Sequence, residues 1–210
     1  NNPSATTDDA NYNLAVGGTA LDAVTTGDYN TAVGYSSLTD NTTGAANVAY
    51  GSQSLFKNTT GSRNVAIGHQ SLYQNTEGSH NTALGYNSLT NTTGSSNTAL
   101  GNVALTENTS GASNVAIGMA ALRNNTTASY NTAVGRLALE DANRTADTDG
   151  YNVGLGYNAG NTGTNDITTG NKNTLLGANT AASAAAGTNQ TVVGYGASGK
   201  GDNTVTIGNG

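Results

Sequence analysis

The side chains that could do acid–base or metal chemistry are few and scattered. His69 and His80 lie eleven residues apart, and neither has an obvious carboxylate partner, so we expect both at the surface or in turns. Asp147 and Asp149 could touch a cation, but the chain has no D-x-D-x-D-G calcium loop. The sequence therefore predicts no enzyme, no metal site and no cofactor. The remaining acidic candidates are too dispersed to form the carboxylate pair of a glycan-cleaving enzyme: Glu77, Glu107, Glu140 and Asp141.

Two patterns imitate binding motifs. Gly154–Gly156 and Gly194–Gly196 have G-x-G spacing, but neither a helix signal nor a lysine follows in the frame of a phosphate-binding loop. The glycosylation pattern N-x-[ST] recurs at one place in a repeating turn, so we interpret its asparagines as corner residues rather than glycan acceptors. They are Asn41, Asn58, Asn91, Asn108 and Asn125.

Tyrosine keeps a binding function open. One set directly follows a repeated glycine: Tyr35, Tyr86 and Tyr157. Another precedes a repeated asparagine: Tyr12, Tyr29, Tyr130 and Tyr151. Exposed tyrosine can stack on sugars, but packing of the rings across repeats or subunits is the favoured interpretation. The receptor-binding residues are therefore unknown from the sequence.

Charge and composition exclude several classes of partner. The net charge is −6 and the seven basic residues stand singly, so we expect no nucleic-acid binding. Apolar runs are far too short for a membrane span, and we expect no membrane insertion. Because the chain has no cysteine, it has no disulfide framework, and the redox compartment of the protein cannot be inferred from the sequence.

These residues belong to a repeat of about seventeen residues, N-[TV]-A-[VIL]-G-x-x-[SA]-L followed by a turn near N-T-T-G. The intervals between its pivot glycines are 17, 17, 17, 17, 16, 17, 17, 21, 21, 17 and 14 residues. Such regularity indicates one unit stacked on itself and argues against low-complexity disorder. The pivots are Gly17, Gly34, Gly51, Gly68, Gly85, Gly101, Gly118, Gly135, Gly156, Gly177, Gly194 and Gly208.

Seventeen residues can hold two short strands and two turns, which is one coil of a narrow parallel β-solenoid. Coils stack about 4.7–4.9 Å apart, so twelve pivots predict a rod on the order of 55 Å long. We expect the asparagine and glycine of N-T-T-G to take positive φ at a corner. We also expect an asparagine ladder at Asn30, Asn47, Asn64 and Asn81, and a leucine ladder at Leu21, Leu38, Leu55, Leu72, Leu89, Leu105, Leu122 and Leu139.

The amount of apolar material predicts an obligate oligomer. Neighbouring residues such as Ala66 and Ile67 must face opposite sides of a strand, one inside the coil and the other against another subunit. The apolar side chains of so thin a coil, by themselves, only poorly offset the entropy cost of ordering seventeen residues.

The chain divides into four predicted parts: a lead-in at 1–12, regular repeats at 13–139, irregular coils with longer loops at 140–189 and terminal short coils at 190–210. The long intervals add segments at 141–145 and 164–168, which we expect on one surface and available for interaction. Beyond Gly156 the leucine becomes Gly160, Ala181 and Ser198, so the core must narrow or rearrange there.

The unit N-T-A-[VIL]-G-x-x-[SA]-L and the final Asn203–Gly208 segment resemble the head repeats of trimeric autotransporter adhesins, which form a left-handed parallel β-roll in a homotrimer. The longer repeat with its N-T-T-G turn is more similar to head-like repeats of phage tail fibres. The resemblance covers Asn13 to Gly208 and departs from the family in its 17-residue period and two long coils. Family members often carry a self-cleaved chaperone after a segment similar to Gly201–Gly208, so we expect a processed product or a fragment.

The resemblance implies an all-β homotrimeric rod: a viral structural protein in a virion tail fibre that attaches to a host cell-surface receptor, with a glycan as one candidate. A bacterial surface adhesin head or an extracellular filament subunit is the alternative. Stacked threonines also suggest a less favoured ice-binding solenoid, through Thr42/Thr43, Thr59/Thr60, Thr92/Thr93 and Thr126/Thr127.

Overall fold

The computed structural model describes residues 12–143 and 149–208, and within them the chain is all-β. Twelve three-residue strands form one parallel sheet in sequence order, wound as a β-solenoid of about 11 turns. No helix occurs in these two ranges, and hence no helical segment that could cross a membrane. The strands are β1 Leu14–Val16, β2 Thr31–Val33, β3 Val48–Tyr50, β4 Val65–Ile67, β5 Thr82–Leu84, β6 Thr98–Leu100, β7 Val115–Ile117, β8 Thr132–Val134, β9 Val153–Leu155, β10 Thr174–Leu176, β11 Thr191–Val193 and β12 Val205–Ile207.

The strands pair in the register that the repeat predicts. Ala66 of β4, for example, pairs with Ala49 of β3 and Ala83 of β5, so equivalent residues lie above one another. The sixteen-residue interval keeps this register, because Thr82 still pairs with Thr98. The long intervals keep it too, and their additional residues leave the sheet unchanged.

The prediction of two strands per coil is wrong, since each coil contributes one strand to the sheet. After the pivot glycine the backbone enters the left-handed region, with φ of 52° at Ser36 and 51° at Leu38, which a β-strand does not tolerate. Backbone bonds between coils continue nevertheless. Leu38 N donates to Ser54 O at 2.9 Å, and Asp40 N donates to Phe56 O at 3.1 Å. A hydrogen-bonded turn path therefore replaces the second strand.

The predicted corner geometry at N-T-T-G is also wrong. Positive φ occurs at the pivot glycines, the residue before each strand asparagine, and the second and fourth residues after most pivots, but not at Asn41 or Gly44. Gly44 is required for a different reason: a Cβ there would collide with the Gly61 carbonyl oxygen of the next coil. Gly44 therefore allows stacked turns to approach closely, and it is not needed for a positive φ.

The interior is narrow and built from few atoms. The middle residue of each regular strand is alanine and points inward, whereas its neighbours point outward; Ala66 is fully buried and Ile67 is 36% exposed. The predicted leucine ladder is confirmed, because all eight leucines are fully buried. Ser54 or its equivalent fills the space beside each leucine. Adjacent residues thus face opposite sides of the strand, as expected.

The rearrangement predicted beyond Gly156 is an exchange of volume across the core. The strand centre grows from Ala133 to Leu175 and Val192, while the residue at the leucine position shrinks to Ala181. Between them the strand centre is Gly154, where a Cβ would lie 2.7 Å from Leu139 Cγ. The large side chain therefore moves from one wall of the coil to the other.

The backbone follows this exchange. Leu139 still has a φ of 48°, but Ala181 and Ser198 leave the left-handed region and pair as a parallel β-bridge. Ile167, from the longer loop, is fully buried and enters the core near Gly160. A locally extended wall replaces the leucine turn in these coils.

Candidate binding surfaces

The sheet has one outward side, here called the outer face. It comprises four side-chain columns: the residue before each strand asparagine, the first and third strand residues, and the residue after each pivot glycine. In one coil these are Tyr29, Thr31, Val33 and Tyr35, which alternate along the chain and so point to the same side. The third strand residue is Val, Ile, Leu or Tyr in all twelve strands, and the first is Val, Leu or Thr.

Every exposed large hydrophobic residue of the described chain lies on the outer face. No other side of the solenoid in these ranges carries one. The strand positions are Leu14, Val16, Val48, Tyr50, Ile67, Leu84, Leu100, Val153, Leu155, Leu176, Val205 and Ile207. The flanking positions are Tyr12, Tyr29, Tyr35, Tyr86, Met119, Tyr130, Tyr151, Tyr157 and Tyr195.

Charge on the outer face has one sign. Its cations are Arg63, Arg136 and Lys172, and none of its four columns contains a carboxylate within 12–143 and 149–208. Asp149 lies beside the rim and accepts a hydrogen bond from the Tyr151 hydroxyl at 3.2 Å. Partial desolvation and then the Asp149 charge raise the pKa of that hydroxyl.

Four tyrosines of the outer face stack on one another in pairs, which confirms packing across coils for these residues. The Tyr12 and Tyr29 rings are 5.1 Å apart and nearly parallel, and Tyr130 and Tyr151 are 5.0 Å apart. Arg136 lies 5.6 Å from the centre of the Tyr157 ring. Each of these contacts lies at a rim of the face and joins two adjacent coils.

The two histidines are exposed, as expected. His69 stacks on Tyr86 with ring centres 5.5 Å apart. His80 Nε2 lies 3.4 Å from the Arg63 guanidinium. Across the described ranges, no group of three or more His, Cys, Asp or Glu residues is arranged to hold a metal ion. Asp147 lies outside those ranges.

The dispersed carboxylates make structural contacts. Glu140 is buried, pairs with Arg123 at 2.8 Å and accepts a hydrogen bond from Asn161 at 2.8 Å. Asp141 accepts one from Asn124. Glu77 and Glu107 are exposed and lie in separate coils. Glu140 and Asp141 are neighbours in sequence but have different partners, and the structure brings no two of the four acidic candidates together in a groove.

The predicted asparagine ladder is confirmed and is longer than expected. Asn47 Nδ2 donates to Asn30 Oδ1 at 3.1 Å and to Gly61 O at 2.9 Å, and Asn47 N donates to the same Asn30 oxygen at 3.0 Å. The Asn47 and Asn64 amides thus bond both to the previous coil and to the opposite wall, whereas Asn131 Nδ2 is buried without a partner. The ladder comprises Asn30, Asn47, Asn64, Asn81, Asn97, Asn114, Asn131, Asn152 and Asn173 and ends at Gln190.

A second interior ladder occupies the sites of the glycosylation pattern. Asn41, Asn58, Asn108 and Asn125 are fully buried, and Asn58 Nδ2 donates to Asn41 Oδ1 at 2.7 Å. These four amides are therefore closed to a glycan, and each also bonds within its own turn, as Asn41 Nδ2 donates to Gly44 O at 2.9 Å. Asn75 belongs to the same ladder but lacks the glycosylation pattern. Its recurrence at this position is the signal in the sequence for a second ladder, and sequence reasoning missed it.

The sixteen-residue coil interrupts this second ladder. Thr92 rather than Asn91 points inward there, and its hydroxyl oxygen accepts hydrogen bonds from Asn108 Nδ2 and Gly94 N, both at 3.0 Å. Asn75 Oδ1 is left buried without a partner. Asn91 is displaced outward, where its amide donates to Glu107 at 3.1 Å.

The threonines of the turn form two rows of different character. In the first row the hydroxyl is used along the rod: Thr42 Oγ1 donates to Thr59 O, and Thr59 Oγ1 to Thr76 O, both at 3.0 Å. In the second row Thr43 and Thr60 are exposed, but Glu77 follows them. The surface that faces water is therefore short and interrupted.

A polar groove lies where the core rearranges. Its volume is about 340 Å³, and it is bounded by the longer loop of the Gly156–Gly177 interval and by the two following coils. The lining residues are Thr162, Thr164, Asn165, Asn179, Ala181, Gly196 and Ser198. Comparison of the chain with models of known protein families, with curated proteins and with solved structures found no match.

Proposed function

We propose that this chain is a structural and adhesive fibre segment, in which three copies form a rigid rod that attaches to a host cell surface, most closely as part of a phage tail fibre. The observation that carries the proposal is the outer face, an unpartnered apolar strip along the whole described length of the solenoid. A rod with such a strip is unsuited to exist alone in water, and copies of itself offer a partner of equal length and period.

The size of the outer face supports an interface. Twelve strands about 4.8 Å apart extend roughly 53 Å, and the four columns span about 20 Å across, which gives about 1,000 Å² per chain. A stable interface needs about 800 Å² per partner. The outer face as a whole satisfies this figure, and its area includes threonine, histidine and cationic side chains beside the apolar ones.

The position of the charged residues on the outer face is also compatible with packing of these faces against one another. The three outer-face cations lie in the rim columns, not in the strand columns, so apolar strand residues can meet while Arg63, Arg136 and Lys172 stay at the edge. That the assembly contains three copies is inferred from the resemblance to trimeric fibre repeats. The outer face by itself supports packing against at least one further copy.

The interior supports a mechanical role. Amide ladders, leucine ladders and backbone bonds all run along the rod axis, so each coil is tied to the next on several sides. Such a solenoid transmits force along its length and places whatever it carries at a fixed distance from its base. Neither property requires turnover of a substrate.

Binding of the fluorescently labelled protein to intact bacterial cells tests the attachment role. We expect saturable binding to susceptible strains that excess unlabelled protein competes away. Absence of saturable binding across a broad panel of strains would contradict attachment. Thermal hysteresis of the same sample would instead support the ice-binding alternative, and a bacterial adhesin head would bind animal cells or matrix rather than bacteria.

A further inference from the structure

We infer that the polar groove beside the longer loop is a binding site for neutral, hydroxyl-rich sugars. The inference rests on the proposed function, because it names a receptor chemistry and a place on the rod for the attachment step. The groove is formed by residues that depart from the regular repeat, and each departure has a separate structural cause.

The first wall of the groove is the loop of the Gly156–Gly177 interval. Its base is closed, since Ile167 N donates to Gly160 O at 2.9 Å and the Ile167 side chain is fully buried in the core. Its tip is tied by Gly163 N, which donates to Asp166 Oδ1 at 2.6 Å. Thr162, Thr164 and Asn165 are thereby held on a short, anchored projection.

The floor of the groove results from the loss of the leucine position. In regular coils a buried leucine turn occupies the equivalent place, as at Leu122. Here Ala181 and Ser198 form a flat β-bridge, and Gly196 adds no side chain. The loop stands beside this part of the two coils, and about 340 Å³ lies between them.

The lining selects the ligand class. Thr162, Thr164 and Ser198 supply hydroxyls, and Asn165 and Asn179 supply carboxamides. Hydroxyls and carboxamides both donate and accept, as sugar hydroxyls do. No charged side chain lines the groove, so it offers no ion pair to a phosphate or a carboxylate. Its volume lies at the lower end of the roughly 300–1,000 Å³ range of ligand sites, which suits one or two sugar units.

The groove is placed for access in the proposed assembly. Its residues from the two following coils are the second and fourth after the pivots Gly177 and Gly194, beyond the outer-face columns. Gly196 and Ser198 are exposed. Packing of outer faces against one another would leave this side of the rod open to a cell surface.

The test is a printed array of neutral hexose and N-acetylhexosamine oligosaccharides with sialylated and uronic-acid oligosaccharides beside them, probed with the whole labelled protein. We expect binding to a subset of the neutral oligosaccharides. Titration calorimetry with the strongest neutral oligosaccharide then compares variants. Ser198→Phe fills the groove and should weaken affinity at least tenfold, and Thr164→Ala should weaken it several-fold with little effect on folding.

Ser110→Phe is the matched control, because it places the same side chain on an exposed turn of a regular coil. It should bind the sugar as the unsubstituted protein does. Binding only to acidic oligosaccharides, or to none, would overturn the inference. So would a sugar affinity of both Ser198→Phe and Thr164→Ala equal to that of the unsubstituted protein. The solution mass and the cell binding of each sample separate the two proposals: a chain that assembles and binds cells but no neutral sugar keeps the fibre role and loses the groove.

Discussion

At the scale of single residues, glycine and asparagine determine how closely the coils stack. The ten pivot glycines from Gly17 to Gly177 combine positive φ with a backbone of the next coil that approaches too closely for a Cβ. The asparagines satisfy the turn carbonyls that such close stacking buries. Small residues are therefore abundant here for a packing reason, although the same composition is typical of disorder.

Gly51→Ala tests the close approach. Gly51 has a φ of 139°, and an alanine Cβ there would lie 2.6 Å from Gly68 O. Gly201→Ala is the matched control, since its φ is 149° and nothing lies within 4 Å of its Cβ. We expect a loss of about 1–2 kcal/mol from backbone strain at Gly201 and about 3 kcal/mol or more at Gly51, measured by thermal unfolding. Equal losses would mean that φ alone requires the glycine.

Asn64→Ala tests the ladder. The substitution removes the acceptor of the buried Asn81 backbone amide and two side-chain hydrogen bonds, although Asn47 Oδ1 keeps Asn64 N and Gly78 O keeps Asn75 Nδ2. The unpaired amide costs about 1–3 kcal/mol and each lost bond about 0.5–1.5 kcal/mol, so we expect a loss of about 2–3 kcal/mol in unfolding free energy. The exposed Asn102, changed to alanine, should alter it by less than about 0.5 kcal/mol. A small effect at Asn64 would show that the ladder adds little.

At the scale of the coil, one strand and a hydrogen-bonded turn path alternate. The period and the register follow from the sequence because Asn47, Leu55 and their equivalents recur at constant spacing. The left-handed φ of Leu38 does not follow, since a bulky residue there is unusual and the apolar spacing suggests a second strand. The inward Asn41 was hidden because N-T-T-G has the composition of an exposed turn. Residues 144 and 145 of one predicted loop lie outside the described ranges.

The exchange of core volume gives a paired test in β10. Leu175 is fully buried, whereas its neighbour Leu176 is 42% exposed on the outer face. Leu175→Ala should open a cavity and cost about 2–5 kcal/mol in unfolding free energy. Leu176→Ala should leave the fold of a single chain intact and weaken association instead, seen as a dissociation midpoint at higher protein concentration. Similar unfolding for both variants, without a change in association, would contradict the assigned faces.

Deletion of one repeat tests whether the coils are modular. Removal of residues 47–63 joins Ala46 to Asn64 and keeps the 17-residue phase of both ladders. We expect a folded rod about 4.8 Å shorter, with the parent circular dichroism spectrum and a slightly lower melting temperature. Deletion of residues 47–59 shifts the phase by four residues and serves as the control. A folded product from the control, or an unfolded one from the in-phase deletion, would count against stacked identical units.

At the scale of the whole molecule, hydrogen bonds along the axis pair polar groups of the interior, whereas the outer face carries exposed apolar side chains along its length. Ala66 and Ile67 show the division within two residues, one facing the core and the other facing outward. The core-facing residues stabilise the single chain, and the proposed association between chains uses the outward-facing residues of the same strands. The groove near the rearranged core, our proposed sugar site, lies on neither face.

The most direct measurement of this account is the solution mass by multi-angle light scattering, at micromolar concentration and physiological salt. A mass near three times the 20.9 kDa of one chain is the predicted result. Ile67→Asp, which puts a charge on the central column of the outer face, should lower that mass or prevent assembly. A stable, well-folded monomer of the unsubstituted chain at all concentrations would contradict the claim that the outer face is a subunit interface.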